Sequence, residues 1–157
     1  MTDDSTAAMR EDYYILATSS RRDERTRVIK HGDSFGVFDQ YGDIEFEDEK
    51  ARLDNFAIQI ANEPLATGQI IMFAGRETFK NEAAERLARA KSYIVDVREI
   101  DRNRIITTDC GFSEELRITL LVVPLEASAL TCDTYSAIPF SEVKFTKPHP
   151  KSPKKRL

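Results

Sequence analysis

Apolar residues recur at helical spacing in two separate segments of the chain. In the first segment they fall at i, i+3, i+4 and i+7, which places them along one side of a helix. These positions are Leu53, Phe56, Ala57 and Ile60. Asp48 begins this predicted helix and Pro64 ends it, because a proline restricts the residue before it. A second helix is predicted over residues 81–97, where the apolar positions are Ala83, Leu87, Ala90, Ile94 and Val97.

The segments on either side of the first predicted helix have the composition of β-strands. Residues 34–38 alternate and are rich in aromatic side chains, and residues 44–46 resume this first strand after a turn at 39–43. Residues 69–74 are apolar at successive positions, which is typical of a strand that is buried on both faces. We therefore expect residues 69–74 to form a central strand that is covered by helices.

Two further strands complete the predicted fold. Residues 104–108 form one of them, and residues 116–122 alternate as the last. Residues 109–114 are short enough to join them as a hairpin. Helical crossovers between the first three strands allow parallel pairing, and the last strand returns antiparallel. We predict an α/β fold of the α+β type, a two-layer βαβαββ sandwich with two helices on one face of a small mixed sheet.

The size and charge of the chain limit its partners. Its 157 residues suit one domain, and 27 acidic against 23 basic residues give a net charge of −4, so a basic nucleic-acid binder is not expected. Residues 144–157 hold six basic residues and no acid, which leaves −10 for residues 1–143. We predict a flexible arm over 1–27, a domain over 28–125 and a Pro-rich basic tail over 126–157. The tail is either an extended, solvated chain or a contact for an anionic lipid, polymer or nucleic acid.

The rare residue types argue against catalysis. His31 and His149 are the only histidines and lie outside the predicted core, so a Ser–His–acid or Cys–His arrangement has no histidine in the body. The spacing of Cys110 and Cys132 suits no zinc pattern. We predict no enzyme activity, no cofactor and no metal site. The two cysteines are expected to be ordinary small apolar residues, with one disulfide as the alternative if the protein is exported.

The ends and the hydropathy of the chain bear on its location. No apolar run approaches the roughly 18 residues of a membrane-spanning helix, so no transmembrane segment is expected. The first residues show neither the basic region nor the apolar region of a secretory signal, which favours the cytoplasm.

The segment between the second strand and the third is similar to a known family. Residues 70–74 end in Gly75, a polar loop follows, and the next helix has the pair Arg89-Ala90 before a strand that begins with Arg104-Ile105. This order resembles the OmpA-like C-terminal domain family over roughly residues 35–124. Residues 38–44 and 48–57 look like a diverged bacterial branch of that family.

The resemblance implies a non-catalytic module of the cell envelope, located in the periplasm, that binds peptidoglycan without cutting it. In the family an acid after the second strand and an arginine on the second helix hold the diaminopimelate of the stem peptide. Arg89 matches that arginine, while Arg76 and Glu77 occupy the loop and Asp109 ends the third strand near the same edge. We therefore expect these four side chains to line one ligand-binding cleft. The implied partner is peptidoglycan or another envelope protein.

Departures from the family pattern keep a second function open. Thr78 stands where the family has its aspartate, and Glu82 stands where it has an asparagine. Arg89 could equally be a surface residue paired with Glu82 or Glu85 of its own helix, and Arg76 and Glu77 could be solvated loop residues. The alternative is a protein-interaction or scaffold module that keeps the fold and has lost the peptidoglycan site. The pattern does not indicate an oligomeric state.

Overall fold

A computed structural model describes residues 36–148, so the predicted arm at 1–27, the start of the predicted domain and residues 149–157 lie outside the described residues. The described chain forms six strands and two α-helices. They are β1 (Val37–Tyr41), α1 (Phe46–Asn62), β2 (Thr67–Ala74), β3 (Glu77–Phe79), α2 (Glu82–Ser92), β4 (Ile105–Phe112), β5 (Arg117–Val123) and β6 (Lys144–Thr146). The fold is therefore α+β, as the sequence predicts.

The main sheet has the strand order β1-β5-β2-β4. The parallel pair β2–β4 and the antiparallel pairs β2–β5 and β1–β5 make it a mixed sheet, with β5 antiparallel to its neighbours. The remaining strands, β3 and β6, form a separate two-stranded parallel sheet. The expected mixed sheet with an antiparallel last strand is confirmed.

Three local predictions are wrong. Residues 109–114 do not form a hairpin, because β4 continues to Phe112 and the apolar strand β2 lies between β4 and β5. Residues 39–41 belong to β1 rather than to a turn, since Asp39, Gln40 and Tyr41 pair with β5. Phe46 begins α1 instead of resuming the strand.

Both helices cover the same face of the main sheet. The four predicted apolar residues of α1 are buried together with Ala83, Leu87, Ala90 and Ile94, and all pack in one core with Ile70, Met72 and Leu120. Val97 is exposed, because the chain widens into a π-helical turn at Tyr93–Val97 after α2. A Cβ on Gly68 would stand 2.4 Å from Ile60 Cδ1, so the close approach of α1 requires glycine inside β2.

Within residues 36–148, the opposite face of the sheet is covered without a helix. Ile71, Phe73, Leu121 and Val123 on this face pack against Ala127, Leu130 and Cys110. Residues 124–138, called the strap below, lie across them and are tied to β4 by a disulfide between Cys110 and Cys132. Both helices therefore lie on one face of the sheet, as predicted, and the strap covers β2 on the other face. The expectation of two ordinary, unlinked cysteines is wrong, and the structure has the alternative of one disulfide.

Because the strap packs on the sheet, the folded part of the chain ends later than residue 125, the predicted end of the domain. The sequence places a tail after residue 125, yet Ile138 donates its backbone N–H to Phe112 O at 2.9 Å, and β6 pairs with β3. The folded chain therefore extends at least to Thr146. Apolar residues in this region stand singly or in pairs among polar ones and prolines, so no helical or strand period marks them as buried. Among the residues that the structure describes, no helix has the length and apolar content to cross a membrane.

Candidate functional site

Arg76 joins two separate parts of the chain just after β2. Its Nε donates to Glu114 Oε2 at 2.9 Å, and its Nη1 lies 2.9 Å from Glu142 Oε2. Its backbone takes part as well, because Lys144 N donates to Arg76 O at 2.7 Å. The hydrogen bonds from Arg76 hold the pKa of Glu114 below its ordinary value. Arg76 therefore fixes the β4–β5 connection to the start of β6.

Replacing Arg76 by glutamine should return the pKa of Glu114 towards its ordinary value of 4.5. Because the folded protein lowers this pKa, the contact stabilises the fold above the pKa of the unfolded chain and is lost as pH falls through the lowered value. An NMR titration of the Glu114 carboxyl group measures the change. Arg98→Gln removes a guanidinium bound elsewhere and should leave the titration unchanged. An identical Glu114 pKa in wild type and Arg76→Gln would contradict the contact.

Arg89 connects α2 to a buried acid on α1. Its Nη2 donates to Glu49 Oε2 at 2.8 Å, and its guanidinium carbon lies 4.2 Å from the centre of the Phe46 ring. Glu49 is only 1% exposed and also accepts a hydrogen bond from Tyr41 Oη at 3.0 Å. Burial, together with the Glu49 carboxylate, raises the pKa of Tyr41. Arg89 therefore pairs with α1 and not with Glu82 or Glu85 of its own helix, the alternative that the sequence left open.

Glu82 and its neighbours hold the start of α2. The Thr78 hydroxyl donates to Glu82 Oε2 at 2.7 Å, and Arg86 Nε donates to Glu82 Oε1 at 3.0 Å. Arg86 also reaches Asp43 Oδ1 at 2.6 Å. Both Thr78 and Glu82 are buried. The two positions at which the sequence departs from the family pattern therefore form an internal network that ties β3 to α2.

Asp109 lies on the other side of α2 from Arg89. Asp109 is in β4, where it is paired with Met72 of β2. It borders a shallow depression together with Ala88 and Lys91 of α2. Its carboxylate accepts the N–H of Gly111, whose φ of 86° suits glycine.

The four expected site residues do not meet in one cleft. Glu77 is exposed in β3, with its backbone opposite Lys144. Arg76 is bound to Glu114 and Glu142, Arg89 faces α1, and Asp109 faces the opposite side of α2. Over residues 36–148, no hydrogen bond or ion pair joins any two of the four.

An aromatic surface that the sequence pattern does not predict lies near β3 and β6. Phe112, Phe140 and Phe145 lie with ring centres 5.6 to 6.3 Å apart. Phe140 is 68% exposed and Phe145 is 50% exposed. We call these three residues the aromatic patch. They border a cleft of about 250 Å³ with Phe79 and Asn81. The sequence signal of this patch is a pair of phenylalanines, five residues apart, inside the predicted tail.

No protein-family description matches the chain, and no curated protein matches it significantly in sequence.

Proposed function

We propose that this chain is a non-catalytic binding module of the bacterial cell envelope, in which the aromatic patch holds a protein partner. The exposure of Phe140 and Phe145 carries the proposal, because folding alone would bury such rings more fully. Clustered, solvent-exposed aromatic rings are typical of protein-binding surfaces, where aromatic anchors supply much of the affinity. The rings already contact one another, so little side-chain freedom is lost on binding.

The disulfide supports the envelope as the location. Disulfides persist in oxidising compartments such as the bacterial periplasm and are rare in the cytoplasm. Cys110 and Cys132 are bonded, with their Cα atoms 5.3 Å apart. The resemblance to OmpA-like domains points to the same compartment. Absence of a catalytic motif in the sequence supports the non-catalytic assignment.

The charge around the patch indicates which partner fits. Lys80 is exposed at the cleft beside the patch, whereas the carboxylates of Glu82 and Glu142 are bound by Arg86 and Arg76. A partner segment with apolar side chains and a negative charge would match this surface.

Phe140→Ser and Leu125→Ser test the proposal as a matched pair, because both side chains are 68% exposed and lie on different parts of the surface. The chain, labelled with a cross-linker, is mixed with an envelope extract to capture its partner. The partner is then purified, and its affinity for wild type and for each variant is measured by titration. Phe140→Ser should bind it about 30-fold more weakly, since truncating an aromatic anchor costs about 2 kcal/mol or more. Leu125→Ser should bind as wild type does. Equal binding by wild type and Phe140→Ser would rule out the patch.

A second candidate is peptidoglycan recognition, which the exposure of Arg89 favours. Its side chain is 40% exposed, and a single N–H donates to Glu49. A guanidinium has five N–H donors, so the remaining ones are available to a carboxylate of the stem peptide. In this second proposal Arg89 binds the ligand while it stays paired with Glu49.

Arg89→Lys is the variant that tests this candidate. It retains the positive charge beside Glu49 but loses the fork that binds a carboxylate through two bonds. In a pull-down with purified sacculi, wild type and the control Arg98→Lys should be retained and Arg89→Lys released. If all three are washed away, or all three are retained equally, Arg89 does not recognise peptidoglycan.

A further inference from the structure

A cleft lies between the helix-free face of the sheet and the strap. Its floor follows from the strand register, in which Phe73 is opposite Arg117 and Ile71 is opposite Thr119, with Leu121 one pair further along. Its other wall is the strap, which contributes Leu130, Thr131, Asp133 and Ser136. The volume is about 280 Å³. This cleft is on the face of the sheet away from α1 and α2.

Arg117 is the charged residue of the cleft floor. Its guanidinium carbon is 4.8 Å from the centre of the Phe73 ring, and its Nη2 donates to Ser136 Oγ at 3.0 Å. Within residues 36–148 every other arginine contacts a carboxylate or backbone carbonyls: Arg52, Arg76, Arg86, Arg89, Arg98, Arg102 and Arg104. The hydrogen bond that Arg117 makes within these residues goes to a hydroxyl, so most of its donors are available to a ligand.

Asp133 is the acid of the cleft lining, and the strap itself engages its carboxylate. Asp133 Oδ1 accepts the N–H of Tyr135 at 2.8 Å, and its Oδ2 accepts from Ser136 Oγ at 3.2 Å. No ion pair within 4.0 Å joins Asp133 to Arg117 in the part of the chain that the structure describes. Ser136 therefore separates the two charges, and a half-buried guanidinium faces an apolar cleft without a carboxylate partner.

We propose that this cleft binds a small carboxylate that carries an apolar group. The carboxylate would lie on the guanidinium fork of Arg117, which matches its two oxygens. The apolar group would lie between Ile71, Leu121 and Leu130. The volume is at the lower end for ligand sites, so the ligand is smaller than a typical drug. A short fatty acid and the C-terminal residue of a peptide share this chemistry.

A disulfide and a pair of hydrogen bonds hold the strap, which is the wall of the cleft, against the sheet. Cys132 lies between the lining residues Thr131 and Asp133 and is bonded to Cys110 of β4. Buried Gln69 pairs with Leu130 as a strand would, since its Oε1 accepts Leu130 N and its Nε2 donates to Leu130 O, both at 2.8 Å. A wall that is fixed before binding lowers the entropy cost of holding a ligand.

The test uses two carboxylates and their neutral counterparts as probes. N-acetyl-leucine and hexanoate are titrated into the protein, in parallel with N-acetyl-leucinamide and 1-hexanol, and the amide signals of Thr119 and Leu130 are followed by NMR. Both acids should shift these signals in a saturable way, and the neutral probes should bind at least about tenfold more weakly. Tighter binding of N-acetyl-leucine would identify a peptide C-terminus, and tighter binding of hexanoate a free acid.

Two variants of Arg117 and one control complete the experiment. Arg117→Gln should weaken the binding of the acids at least about tenfold, and Arg117→Lys, which keeps the charge without the fork, should fall between it and wild type. Arg98→Gln removes an arginine from the helix side and should bind as wild type does. The proposal is overturned if neither acid gives saturable shifts, if the neutral probes bind equally well, or if folded Arg117→Gln retains full affinity. Such a failure would leave the proposal for the aromatic patch untouched.

Discussion

Replacing Arg89 by leucine should lower the free energy of unfolding by about 3 kcal/mol. The change leaves the Glu49 carboxylate, which is 1% exposed, with Tyr41 as its remaining side-chain donor. Breaking a buried ion pair by removing one partner typically costs 3–5 kcal/mol, because the other charge stays buried and unpaired. The expected value is at the lower end of that range because the Arg89 side chain is 40% exposed and solvent screens part of the interaction. Urea denaturation at pH 7 measures the difference.

Arg98→Leu is the matched control for this prediction. Arg98 is 43% exposed, close to Arg89, but its partner Asp54 is 30% exposed and remains solvated when the arginine is removed. We expect a much smaller loss there than in Arg89→Leu, because solvent screens an exposed ion pair. Glu49→Gln should partly restore the stability of Arg89→Leu, because the glutamine still accepts the Tyr41 hydroxyl and has no charge to bury. Equal losses in Arg89→Leu and Arg98→Leu would show that Arg89 is an ordinary surface residue.

This role of Arg89 changes how binding experiments must be designed. An alanine or leucine variant that fails to bind sacculi would be ambiguous, since it also leaves Glu49 unpaired. The lysine variant keeps a cation within reach of Glu49 and removes only the planar fork. A loss of binding in Arg89→Lys at unchanged stability would therefore report on recognition itself.

The helices and most strands could be predicted because their signals are local. The stripe from Leu53 to Ile60 and the apolar run within β2 each specify one element and the faces that it buries. The strand order could not be predicted in the same way. A short connection between β4 and β5 favours a hairpin, yet the more apolar β2 lies between them, and only the packing of the whole sheet decides between these arrangements.

The candidate site was less predictable because its contacts are distant in sequence. Arg89 and Glu49 are 40 residues apart, and the local pattern offered Glu85 and Glu82 as nearer partners. Arg117 and the strap meet across 19 residues without any periodicity. The cluster of Phe140 and Phe145 with Phe112 forms only when β6 pairs with β3, and no local pattern predicts that pairing.

Removing the disulfide should have an effect of similar size to removing Arg89. The cysteines are separated by 22 positions, and closing a loop of that length restricts the unfolded chain by about 3 kcal/mol. We therefore expect the double variant Cys110→Ala/Cys132→Ala to unfold at a lower urea concentration, with a free energy of unfolding reduced by about 3 kcal/mol. Adding a reductant to wild type should give the same loss, and adding it to the double variant should give none.

A separate measurement can show whether removing the disulfide destabilises the whole fold or only releases the strap. Gln69 still holds both backbone groups of Leu130 when the disulfide is absent, so the strap should stay in place in the folded protein. The hydrogen-exchange rate of the Leu130 amide should then change only as much as the free energy of global unfolding changes. If that amide exchanges fast while the amides of β2 stay protected, the strap opens by itself and the disulfide acts on the native state. In that case reduction should also weaken carboxylate binding at Arg117, and a reducing compartment would leave the cleft without its wall.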